Sequence, residues 1–149
     1  MPEMNKSELD AFLARPYLAR IASIRGERPH VVPMWFDWDG ASVWMETGLN
    51  FQKHKNLSAN PNCVVTVDIT EGGLRFKGAI LEGKAELISE PPALVRETVI
   101  RIYAKYLGRE GIEAPTPRQM IDSPHVIIKL TPTRVITWDD TMTGLAPLP

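Results

Sequence analysis

Asp39-Gly40 falls between two runs rich in β-branched and aromatic residues, 30–38 and 42–47, and commits both to an antiparallel hairpin. The same grammar recurs along the chain. Residues 18–25 form a strand pattern that stops at a Gly26-Glu27-Arg28-Pro29 turn, and 63–69 form another. Residues 74–88 read as one long strand after a loop at Glu71-Gly72-Gly73, with Gly78 and Gly83 where a barrel strand bends or bulges. Residues 126–130 and 134–138 close the series, split by Thr131-Pro132-Thr133.

Helical signals are fewer. Ser7 and Asp10 precede Phe12 and Leu13 in a helix-start pattern that Pro16 cuts short. Residues 48–59 lose the strand alternation, gain helix formers and stop at Asn60-Pro61, which predicts a short helix. The main helix opens at Glu90-Pro91-Pro92. It places Leu94, Val95, Val99, Ile102, Tyr103, Tyr106 and Leu107 on one face and ends at Gly108. Residues 109–117 read as irregular, with a helical turn through 119–122. The sum is a mainly β chain: about six antiparallel strands in hairpin-like succession, one main helix and short helices, forming a closed or split β-barrel.

A length of 149 residues fits one domain spanning 1–149. With 23% charged residues and a formal net charge of -1, no polybasic face is expected, which argues against nucleic-acid and anionic-membrane partners. Residues 1–15 mix Glu3, Lys6, Glu8 and Asp10 with isolated apolar residues, unlike a secretion signal, so a cytoplasmic location is expected. The single cysteine, Cys63, has no intramolecular partner and is expected to be a buried strand residue.

No nucleophile elbow, dinucleotide fingerprint, Walker loop or His-Glu-x-x-His motif occurs, so no catalytic side chain is assigned. His30, His54 and His125 lie too far apart for helical metal spacing, and no metal site is expected. Asp37, Asp39, Glu46 and Asp68 read as solvated or structural carboxylates near turns. Residues 47–57 carry more information: a strand ends and a helix begins with Lys53, His54 and Lys55 in its first turns. Free N–H groups and the helix dipole attract an anion there. From the residues alone, the preferred reading of Lys53 and Lys55 is the solvated face of a surface helix. Trp35, Trp38, Trp44 and Trp138 could cover a planar ligand, fill an interface or pack a core, and strand alternation puts Trp35 and Trp38 on opposite faces.

Several segments, in this order, carry a resemblance. They are Arg20-Ile21-Ala22-Ser23-Ile24, Pro29-His30-Val31-Val32-Pro33-Met34-Trp35-Phe36, Asp39-Gly40 and Val43-Trp44-Met45-Glu46-Thr47. Gln52-Lys53-His54-Lys55-Asn56-Leu57, Asn60-Pro61-Asn62-Cys63-Val64-Val65, Leu81-Glu82-Gly83-Lys84-Ala85-Glu86-Leu87 and Arg134-Val135-Ile136-Thr137-Trp138-Asp139 continue it. Together they resemble the pyridoxamine-phosphate-oxidase-like, FMN-binding split barrels, and within them the actinobacterial flavin/deazaflavin oxidoreductases. The resemblance implies a homodimer with FMN or the deazaflavin coenzyme F420 held at the subunit interface. It implies a phosphate ligand at Lys53, with Thr47, Gln52 and Lys55 beside it. Val32, Pro33, Met34 and Trp35 would line the ring, and Trp138 would reach the cofactor from the other subunit.

Two departures restrict the function. Trp138 is followed by Asp139-Asp140-Thr141-Met142-Thr143-Gly144-Leu145, without the arginines that grip the substrate phosphate in true pyridoxamine-phosphate oxidases. Gln52 stands where many relatives carry a basic residue, which leaves FMN and F420 both open. The expected activity is hydride transfer between the bound cofactor and a planar conjugated small molecule. The competing expectation is a non-catalytic flavin- or haem-binding barrel that stores, delivers or senses its ligand.

Overall fold

The computed structural model describes residues 2–71 and 75–141, with Thr141 by its backbone alone; the expected loop glycines Gly72 and Gly73, the strand start at Leu74 and the segment from Met142 onward lie outside these residues. Among the described residues seven strands occur in chain order with four helices: α1 (Lys6–Leu13), β1 (Ala19–Arg25), β2 (Arg28–Met34), β3 (Asp37–Trp38), β4 (Val43–Thr47), α2 (Gln52–Ala59), β5 (Asn62–Glu71), β6 (Arg75–Ile88), α3 (Pro92–Gly111), α4 (Pro115–Ile121) and β7 (Val126–Thr141).

All seven strands join one antiparallel sheet in the order β2-β1-β5-β6-β7-β4-β3. Its two edges, β2 and β3, are consecutive in the chain, separated by Trp35 and Phe36 alone. Three Cα steps reach at most about 11 Å. A flat sheet of this order would place its edges about 29 Å apart at ~4.8 Å per strand. The sheet therefore curls until β2 and β3 nearly meet without pairing: a split barrel.

This closure corrects the sequence reading of residues 30–38 as one strand. The chain leaves one sheet edge at Met34 and joins the other at Asp37. Phe36, fully buried, is drawn into the barrel between them. Alternation consequently says nothing about the relative facing of Trp35 and Trp38. The final strands are likewise one strand, β7. Pro132 is accommodated because the β6–β7 register shifts between Glu82 and Gly83, a bulge where a missing N–H is tolerated. The split of 30–38 adds β3 and the fusion of the last two segments into β7 removes one, which leaves seven strands among the described residues.

Inward residues alternate along the strands, as in Ala19 and Ile21 of β1, Cys63, Val65 and Val67 of β5, and Ala79 and Leu81 of β6. Burial pushes the Cys63 thiol up to about 11, so it is an inert core group at neutral pH. α1 covers the barrel with Leu9, Phe12 and Leu13. Its start lies at Asn5 rather than Ser7: Asn5 and Glu8 form a reciprocal capping box. A second core sits outside the barrel, where Val95, Val99, Ile102 and Tyr103 of α3 and Ile121 of α4 pack on Trp44 and Ile127. Gly108 breaks α3 with φ 74, as its C-terminal position predicts, but a further helical turn follows to Gly111. α4 starts at Pro115, earlier than expected, because a proline suits the first turn of a helix.

Gly78 is paired with Trp138, whose indole lies across it. A methyl group at Gly78 would stand 2.3 Å from the Trp138 Cζ2. Gly78→Ala is expected to destabilise the protein by about 1–3 kcal/mol through this overpacking, read from urea unfolding. An unchanged midpoint would show that Trp138 swings away freely.

Candidate functional site

The barrel closure has a local consequence: it brings the end of β2 beside the end of β4 and the start of α2. Pro33, Met34, Trp35, Glu46, Thr47, Phe51 and Lys53 meet there with Tyr103 of α3 and Met120 of α4, around a cleft of about 220 Å³.

One end of the cleft is built from the β4–α2 connection. Thr47 is buried, and its hydroxyl donates to the Gly48 carbonyl at 3.3 Å. Phe51 N–H donates back to the same carbonyl, turning the chain into α2. Among the described residues no side chain caps α2, and its helical bonding begins with Lys55 N–H to the Phe51 carbonyl. Helix geometry leaves the N–H groups before Lys55 pointing outward from the positive end of the helix. The Lys53 ammonium lies 4.8 Å from the Phe51 ring centroid. Burial lowers the Lys53 pKa, and the Glu46 charge opposes that shift. α2 is held on the barrel by a polar chain: Gln52 Nε2 donates to Asn56 Oδ1 at 2.6 Å, and Asn56 Nδ2 donates to Ser23 Oγ at 3.0 Å.

The aromatic wall is fixed from behind. Trp35 is 36% exposed and stacks on Tyr106 with ring centroids 4.6 Å apart and planes 6° apart. Tyr103 meets it edge-on at 5.5 Å. The Tyr106 hydroxyl accepts from Phe36 N–H and donates to the Tyr17 carbonyl, tying α3 to the β2–β3 crossover.

The remaining wall is a proton-sharing cluster. Glu46 Oε2 lies 2.9 Å from His125 Nδ1, and Tyr103 donates to Glu46 Oε1 at 3.4 Å. His125 Nε2 lies 2.7 Å from the Met120 carbonyl oxygen. A carbonyl can only accept, so Nε2 carries a proton and the carboxylate favours a second one on Nδ1. The Glu46 hydrogen bond, opposed by burial and assisted by the Met120 carbonyl, raises the His125 pKa. Burial and the Glu46 charge push the Tyr103 hydroxyl up to about 12.

A raised histidine pKa has a definite sign for stability. The contribution of His125 is fully present below its unfolded value of 6.5 and is lost as pH rises through the higher folded value. His125→Gln is expected to flatten that part of the stability–pH curve, measured by urea unfolding at successive pH. A wild-type curve that does not fall in this window contradicts the assigned pair.

Of the residues singled out from sequence, Pro33, Met34, Trp35, Thr47 and Lys53 share the cleft. Val32 packs against the barrel core, Gln52 bonds Asn56, and Lys55 is exposed and outside the cleft wall. Trp138 lies over Gly78, also outside the cleft wall. Phe51, Glu46, Tyr103, Met120 and His125 were not singled out as site residues. Asp37, Asp39 and Asp68 have structural partners: Arg101, the Ala41 and Ser42 N–H groups with the Trp44 indole, and Arg20. A larger hollow of about 650 Å³ lies over Ser23, Cys63, Val64 and Gly83. Its charged lining is Glu82 and Lys84, and it contains no helix start.

At the seam of this split barrel the start of α2, Lys53 and an aromatic wall converge. The family model described as pyridoxamine 5'-phosphate oxidase matches residues 6–139, and the chain belongs to that family. No curated protein matches the sequence. Among solved structures, a conserved hypothetical protein from Mycobacterium tuberculosis is 24% identical, with a TM-score of 0.81 over 98% of this chain and 91% of that one. An F420 reductase is 24% identical, with a TM-score of 0.68 over 91% of this chain and 98% of its own. A FAD-binding protein from Mesorhizobium loti is 20% identical, with a TM-score of 0.71 over 94% and 98% of the two chains. These likenesses establish the fold. Among the described residues no helix is long and apolar enough to cross a membrane.

Proposed function

We propose that this chain holds a flavin-type cofactor, FMN or the deazaflavin coenzyme F420, between two copies of itself and works as an oxidoreductase. The carrying observation is the convergence of Lys53, Thr47 and the uncapped start of α2 with Met34 and Trp35 in one cleft. An F420 reductase and a FAD-binding protein among the similar folds support the same cofactor class.

The residues fit such a group. Lys53 (+1), His125 (+1) and Glu46 (-1) sum to +1 while the histidine is protonated, which suits a phosphate. The cleft's 220 Å³ falls below the ~300–1,000 Å³ of ordinary ligand sites, so a second subunit is needed to enclose a tricyclic ring. When bound, the cofactor supplies hydride chemistry at its ring, and the substrate is a planar conjugated small molecule. Lys53 and the α2 N–H groups fix the phosphate, Trp35 and Met34 set the ring plane, and the partner subunit excludes water. Asp139-Asp140-Thr141 supplies no arginine after Trp138, which speaks against vitamin B6 oxidation.

The test is anaerobic oxidation of each reduced cofactor by menadione, with and without protein. Acceptor-dependent oxidation accelerated by the protein supports catalysis. Stoichiometric binding without acceleration by either cofactor favours storage or delivery instead.

A further inference from the structure

The His125–Glu46 pair stands beside the anion-binding end of the cleft without contributing a phosphate ligand. His125 is enclosed: its side chain is 9% exposed, one ring nitrogen faces the Met120 carbonyl and the other faces Glu46. Glu46 in turn lines the cleft with Lys53, and its charge is felt at the Lys53 ammonium. The groups facing the histidine are few among the described residues. Besides Glu46 of β4 and the α4 carbonyl, Arg96 and Asp122 share a hollow with His125, and they pair with each other at 2.7 Å. Tyr103 of α3 occupies the other Glu46 oxygen.

We propose that the Glu46–His125 pair is the charge-setting element of the phosphate site, so that loss of the proton shared by the pair weakens anion binding at Lys53. The inference rests on the proposed phosphate site and adds its regulation. With the proton present, the pair is neutral overall and the Lys53 charge acts on the anion unopposed. With the proton gone, Glu46 carries an uncompensated negative charge into the same cleft, and the sum of the three groups falls from +1 to 0. One unit charge at close range corresponds to about a tenfold change in affinity.

Sulfate is the probe, because it keeps one charge state over the range tested, and the backbone amide NMR shifts from Thr47 to Lys53 report its binding. Between pH 6 and 9 wild-type affinity is expected to fall about tenfold as the His125 ring signals titrate. His125→Gln binds at pH 6 as weakly as wild type at pH 9. Glu46→Gln binds at pH 9 about tenfold more tightly than wild type. The Glu46 charge raises the Lys53 pKa, so the Glu46→Gln comparison is repeated in a Lys53→Arg background, where the cation keeps its charge at pH 9. Equal affinities of wild type and Glu46→Gln at pH 9, in a folded variant, overturn the inference while leaving the phosphate site standing. Absence of sulfate-induced shifts at every pH overturns both.

Discussion

Phe36→Ala is expected to destabilise the protein by about 3–5 kcal/mol, the range for emptying a buried phenylalanine site. Phe36 has no exposed surface and sits where the chain passes from one sheet edge to the other. Against a total stability of roughly 5–15 kcal/mol, such a loss threatens the fold itself. The ring also receives the Lys105 ammonium at 3.5 Å from its centroid, while that ammonium donates to the Leu13 carbonyl. Burial pulls the Lys105 pKa down to about 8, against the opposing Asp37 charge. Phe36→Leu keeps most of the volume and loses the ring, so a smaller loss, within about 1.5 kcal/mol, is expected from urea unfolding. Equal losses in the two variants would place the importance of Phe36 in its ring rather than in filling the seam. Because Trp35 is its neighbour, Phe36→Ala is also expected to loosen the cleft wall.

Lys53→Ala is expected to weaken binding of a phosphate-bearing cofactor by roughly 10- to 150-fold, the equivalent of about 1.5–3 kcal/mol for a charge-assisted hydrogen bond. The variant should fold normally, since Lys53 lies on a helix start and its contact is the exposed ring of Phe51. Riboflavin provides the internal control. It lacks the phosphate, so its affinity should be the same for wild type and variant. A parallel loss for FMN and riboflavin would move Lys53 from the phosphate to the ring.

The strands, the main helix and the 47–57 segment were legible because their signals are local. Asp39-Gly40 announces a hairpin, and the structure pairs Asp37 with Trp44 and Trp38 with Val43 around it. The position of Lys53 at the start of α2 was legible for the same reason: a strand end, a turn and a helix start lie within a few residues. The break at Trp35-Phe36 was not, because neither residue is a turn former; only closure of the barrel separates β2 from β3. Pro132 looked like a strand end because its tolerance depends on a bulge in β6, a strand far away in sequence. The Glu46–His125–Tyr103 cluster was invisible for a related reason. Its members are 57 and 79 positions apart, on β4, α3 and the approach to β7. Each alone resembles an ordinary surface or core residue, and packing of α3 and α4 on β4 brings them together.

The most direct test of the account is a fluorescence titration of the purified protein with FMN and, separately, with the deazaflavin coenzyme, for wild type and Lys53→Ala, with oligomeric state followed by sedimentation. A wild-type dimer is expected to bind one of the two tightly, and Lys53→Ala to lose this binding while remaining folded. A folded dimer that binds neither cofactor, or a Lys53→Ala variant that binds as wild type does, would contradict it.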